Sequence, residues 1–198
     1  VRHSILLRAI FSAALATWLF ASAPASAQKY RAQDVRGWTV AASKGGRGCF
    51  LTKDYGGVGG TTLLLGLGVD GENHLSVLNY NWSIKPKERL RLNFRLSGGG
   101  YSKHLAIGMA SDGKKGFVTN FEPKFPTYFA ASKALQIYRG EVPVEQLSLD
   151  GSGAAVSELR RCVDLHRTAP AAEAQERERS SNIPKDPFAP RPERRSKR

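Results

Sequence analysis

The chain has 198 residues, 41% hydrophobic and 24% charged, with a net charge of +13. That length suits one domain with a real core and leaves no room for a second of ordinary size. The positive excess favours acidic partners such as anionic lipid, acidic polysaccharide or nucleic acid, and bears on association and solubility but not on fold.

In chain order, Arg2 and Arg8 flank the start of an apolar run over residues 9–20, and Ala25-Ser26-Ala27 supplies small residues at −3 and −1 of a signal-peptidase site. Residues 1–27 therefore read as a signal peptide, too short for a membrane span of about 20 apolar residues. Cleavage near Ala27 would give a periplasmic or secreted protein starting near Gln28. Losing Arg2 and Arg8 leaves most of the positive charge on residues 28–168, the expected single β-rich domain.

Strand signals dominate that domain. Residues 37–43 carry Trp38 and Val40 on one parity, and 49–53 follow after a Gly-Gly-Arg-Gly turn. Residues 61–69 are rich in Leu and β-branched side chains, and Asp70-Gly71 is a hairpin signal that returns the chain through 74–82. The cleanest alternation runs over 88–96, with Leu90, Leu92, Phe94 and Leu96 opposite Arg89, Arg91, Asn93 and Arg95. Residues 103–110 repeat it, and Asp112-Gly113 turns the chain into 116–121. Pro126 then opens a helix over 127–135, strands follow at 136–139 and 144–149, and Gly151-Ser152 begins a second helix. On that helix Ala155, Val156, Leu159, Cys162 and Val163 share one side. Residues 169–198 are charged, contain several prolines and have few large apolar side chains, so they read as a disordered basic tail.

Cys49 and Cys162 are the only cysteines. An even count in an oxidising compartment points to one bridge, tying the start of the domain to its last helix. A reactive or metal-binding thiol would need a base or ligand at short spacing, and none stands around Cys49.

The remaining chemistry is sparse. His74, His104 and His166 fall into no zinc-motif spacing, and Ser152 between two glycines lacks the G-x-S-x-G pattern. The glycines at 56–60 have no following Lys-Ser or Lys-Thr and lead into a strand, and Asp54, Asp70, Glu72 and Asp112 stand in turns. No catalytic residue, metal ligand set or cofactor is assigned. What stands out is a cationic stripe, Lys85, Lys87, Arg89, Arg91 and Arg95, all on one parity and so on one side of an extended chain, with Pro86 able to break its first step. Tyr80 and Trp82 just upstream read as core aromatics, so the stripe does not imply specific nucleic-acid recognition.

Gly37-Trp38-Thr39-Val40 opening a strand, Cys49 soon after, a β-rich middle and a closing Leu149-Asp150-Gly151-Ser152-Gly153-Ala154-Ala155-Val156-Ser157-Glu158-Leu159-Arg160-Arg161-Cys162 together form a pattern. Over residues 37–165 it resembles small exported bacterial envelope domains, the invasion-associated locus B family among them. The resemblance implies a periplasmic or surface-associated β-rich protein without a defined catalytic site.

The expected architecture is mainly β (α+β), an antiparallel β-sandwich or barrel-like sheet with two short helices and a disordered tail. The expected function is non-enzymatic: an exported envelope or host-interaction protein that meets an anionic envelope component or protein partner through its basic strand, peripheral membrane contact included. Two other readings stay open. One is a small exported hydrolase with dispersed residues, which a pocket joining His74 or His104 to a carboxylate would favour; the other is a periplasmic inhibitor of a lysozyme or protease, presenting a rigid exposed loop.

Overall fold

In the computed structural model, the described residues are 30–168 apart from residue 58; the expected signal peptide at 1–27 and the expected disordered tail at 169–198 lie outside them. The described chain folds as β1 (Gln33–Val35), β2 (Trp38–Ala42), β3 (Gly48–Tyr55), β4 (Thr61–Gly68), β5 (Asn73–Asn79), β6 (Arg89–Leu96), β7 (Gly99–Ser111), β8 (Lys114–Asn120), α1 (Phe125–Ala131), β9 (Ala134–Arg139), β10 (Val142–Ser148) and α2 (Ser152–Thr168). The strands form one antiparallel sheet in the order β1-β2-β3-β4-β5-β8-β7-β6-β9-β10.

Alternation decides which face is inside. Trp38, Leu51, Leu65, Val77, Phe94 and Ile137 are all fully buried in one cluster, although they come from strands spread across the whole sheet. The sheet is therefore curled around a single core. Its two ends approach each other through side chains: the Tyr55 hydroxyl donates to the Ser148 carbonyl (2.6 Å), Trp38 Nε1 to the Asp150 carbonyl (2.9 Å) and Thr61 Oγ1 to Glu145 Oε2 (2.6 Å). No ladder joins β1 to β10, so the curl stays open. The expected antiparallel, mainly β architecture holds, in its barrel-like form.

The helices fill the opening. Ala155, Val156, Leu159, Cys162 and Val163 of α2 are buried against β2 and β3, and α1 adds Phe125 and Phe129, the latter edge-on to Trp38 at 5.8 Å. Cys49 on the inner face of β3 is bonded to Cys162 on α2, across a sequence separation of 113.

Strand β7 begins at Gly99, earlier than expected, and three further differences have a physical cause. Strand β1 has no hydrophobic alternation of its own and is held by a two-residue hairpin at Arg36 and Gly37, whose positive φ values of 54° and 78° fit a type I′ turn. The strand expected through residue 82 stops at Asn79, because Trp82 leaves the ladder to stack on Phe117 at 6.1 Å. The helix expected through residue 135 ends at Ala131: Ser132 is extended, and Leu135 and Ile137 are buried from strand β9, which pairs with β6.

Candidate functional site

Strand β6 places Arg89, Arg91 and Arg95 on the solvent side and Leu90, Leu92 and Phe94 in the core. Lys85 and Lys87 do not continue that stripe. They belong to the connection from β5 to β6, where Lys87 takes a positive φ of 69° and donates its backbone N–H to Gly108 (2.8 Å), while Glu88 accepts from the Lys85 N–H. Both lysines remain exposed at the stripe's near end, but strand parity does not aim them with the arginines. The sequence pattern read five residues as one ladder; Pro86 and the left-handed Lys87 end it after three.

The fold adds a cation that strand parity did not point to. Leu92 pairs with His104 and Phe94 with Tyr101, so Ser102 and Lys103 bulge opposite Asn93, and Lys103 has a φ of 51°. The bulge is fastened to the stripe: the Lys103 N–H donates to Asn93 Oδ1 (2.7 Å), Asn93 Nδ2 donates to the Gly140 carbonyl (3.0 Å), and Arg91 Nη1 reaches the Lys103 carbonyl (3.3 Å). Arg95 lies over the Tyr138 ring at 4.6 Å. The ion pairs among the described residues involve Lys114, Arg161 and Arg167, and none neutralises Arg89, Arg91, Arg95 or Lys103. Alternate residues of one strand stand roughly 7 Å apart. Four like charges thus share a small area held by a rigid ladder.

Beside this cationic band the outer face of the sheet turns apolar. Arg89 pairs with Ile107 and Arg91 with Leu105, Ile107 pairs with Val118 on β8, and Ser76 and Leu64 continue the row on β5 and β4. Leu105 is 41% exposed, and Leu78, though buried, stands outside the core cluster.

His74 and His104 both pack against neighbouring strands. His74 lies flat over Gly66 across the β4–β5 ladder, and burial holds its pKa below the ordinary imidazole value. His104 stacks on Phe121 at 4.4 Å with Nε2 against the Asn120 carbonyl (2.8 Å). A cleft of about 200 Å³ opens nearby between Leu96, Gly98–Gly100, Tyr101, Glu122 and Tyr128. Its carboxylate is engaged, since the Tyr101 hydroxyl donates to Glu122 Oε1 (2.7 Å), and burial and that bond raise the tyrosine's pKa. Ser152 is the first residue of α2, and its hydroxyl donates to the Phe129 carbonyl on α1 (3.3 Å).

The bridge is the second polar locus. His166 stands one helical turn after Cys162, and one of its ring nitrogens lies within 4.8 Å of both sulfurs. The fold brings residue 166 to residue 49, while the four-residue spacing of Cys162 and His166 on α2 is the part of the cluster already visible in the sequence.

No model of a known family matches this chain, and no curated protein does. Among solved structures, the chain is similar in fold to invasion associated protein B from Bartonella henselae, with a TM-score of 0.50 and 14% sequence identity, over 67% of this chain and 97% of that one. The described domain accordingly has the fold expected from the resemblance.

Proposed function

We propose that this chain is an exported, non-enzymatic envelope module that attaches to an anionic surface through the outer face of β6. The observation that carries the reading is the set of unneutralised charges on Arg89, Arg91, Arg95 and Lys103, fixed by a ladder and bordered by Leu105 and Ile107. Cations next to apolar side chains suit a surface that offers both anionic groups and hydrocarbon, as an anionic lipid layer does. Export is supported by the signal-type segment and by the bridge, which persists in oxidising compartments. The structural neighbour is described as invasion associated, which favours a role at the cell surface or toward a host.

The test replaces Arg89, Arg91 and Arg95 together by Gln, which spares the core side of β6. Wild type should sediment with vesicles containing anionic lipid and not with neutral ones, and the triple variant should lose most of that binding. Binding should also weaken as salt rises, since exposed charges are screened over about 8 Å at physiological ionic strength. A chain truncated after Thr168 is the control, because the basic end of residues 169–198 could give the same salt dependence. Equal binding by wild type and triple variant at low salt defeats the proposal.

A further inference from the structure

Two sulfurs that thiol chemistry can free and one unpartnered imidazole converge at the C-terminal end of α2. Cys49 Sγ, Cys162 Sγ and one ring nitrogen of His166 lie within 4.8 Å of one another, and His166 Nε2 is buried without a hydrogen-bond partner. A buried imidazole nitrogen with nothing to bond to costs stability and serves no packing purpose. Cys162 and His166 are four residues apart, so α2 presents them on one face a turn apart. The last turn is itself tied down: Arg167 Nε donates to the Val69 carbonyl (2.8 Å), and the Val69 N–H bonds the Arg47 carbonyl (3.1 Å) just ahead of Cys49. The helix end and the strand that carry the three donors are thus held to one frame by contacts independent of the bridge.

We propose that the bridge is a redox-gated site for a soft divalent cation, tested as zinc. In the oxidised chain the sulfurs are spent on each other. An external dithiol opens the bond by exchange: its thiolate attacks one sulfur to form a mixed disulfide, and its second thiol closes on the first, leaving as a cyclic disulfide and giving two cysteine thiols. Zinc then displaces two thiol protons and is bound by two thiolates and the neutral His166 ring, with a fourth position left to water. Tetrahedral bonds of about 2.3 Å to sulfur and 2.0 Å to nitrogen need donors roughly 3.5–3.8 Å apart, so side-chain torsions suffice and the backbone need not rearrange. Reduction does not then release α2; the metal replaces the covalent fastener.

The test uses the full chain, oxidised and after reduction by a phosphine removed under anaerobic conditions, titrated with cobalt as a spectroscopic stand-in and then with zinc. Reduced wild type should bind one cobalt per chain with thiolate charge-transfer and tetrahedral d–d absorption, displaced by zinc, and the oxidised chain should show neither. H166A keeps the bridge, so it folds oxidised; once reduced it should bind at least about tenfold more weakly, the least that disturbing a metal site's surroundings costs. Circular dichroism of the reduced chain should be native with zinc, whether or not it is native without. The proposal is overturned if reduced wild type binds no metal, if H166A matches it, if the oxidised chain gives the same spectrum, or if reduced chain with zinc stays unfolded.

Discussion

His74 shows how one side chain's surroundings become a pH dependence. Its ring covers Gly66, where any larger residue would collide with the imidazole, and the lost hydration lowers its pKa below that of the unfolded chain. Below the unfolded value of about 6.5 the unfolded state therefore binds protons that the native state does not, so stability falls as pH drops through that value toward the folded pKa. The thermal midpoint should fall between pH 7 and pH 5, and H74Q should flatten that part of the profile. An imidazole titration followed by NMR should place His74 below the ordinary histidine value; a ring titrating at that value would overturn the claim. Glu158, whose pKa is lowered chiefly by its hydrogen bonds with Arg161, loses its contribution only at more acidic pH, so the two windows separate.

Elements show where local pattern is enough and where it is not. Strand β6 was legible residue by residue because its alternation and its burial coincide, Arg-out and Leu-in along its length. The end of α1 was not, since Ala131 to Leu135 carry good helix formers and only tertiary demand turns them. Ser132 makes the turn physical: it is 5% exposed, its Oγ donates to the Tyr128 carbonyl (2.8 Å) and accepts the Ser97 N–H (3.1 Å), coupling the helix end to the β6–β7 turn. S132A removes both bonds and should cost about 0.5–1.5 kcal/mol in denaturant unfolding, because the exposed Ser97 N–H can turn to water. A midpoint unchanged from wild type would mean the helix ends for another reason. The cationic stripe was half legible for a similar cause: parity found the three arginines, but Lys103 joins them only through a bulge, and no period-two pattern reports a residue that interrupts the period.

At the scale of the whole molecule, one sheet must hold a curled shape without closing its ladder. Side-chain bonds between the two ends are few and mostly part-exposed, so each contributes about 1 kcal/mol or less. The covalent link does more, because it joins β3 to α2, the helix that fills the opening, across 113 residues. A loop of that length costs the unfolded chain about 4.8 kcal/mol of entropy when closed, a ceiling that native bridges typically reach only in part. The double variant C49S/C162S in metal-free buffer should accordingly lose about 2–5 kcal/mol. It should also show a larger denaturant slope, since an uncrosslinked unfolded chain expands and exposes more surface. The two readouts separate causes: strain at a substituted serine would lower the midpoint and leave the slope alone. An unchanged midpoint would mean that packing of Leu159 and Val163 against β2 and β3 holds α2 by itself, and that the bridge fastens what is already closed.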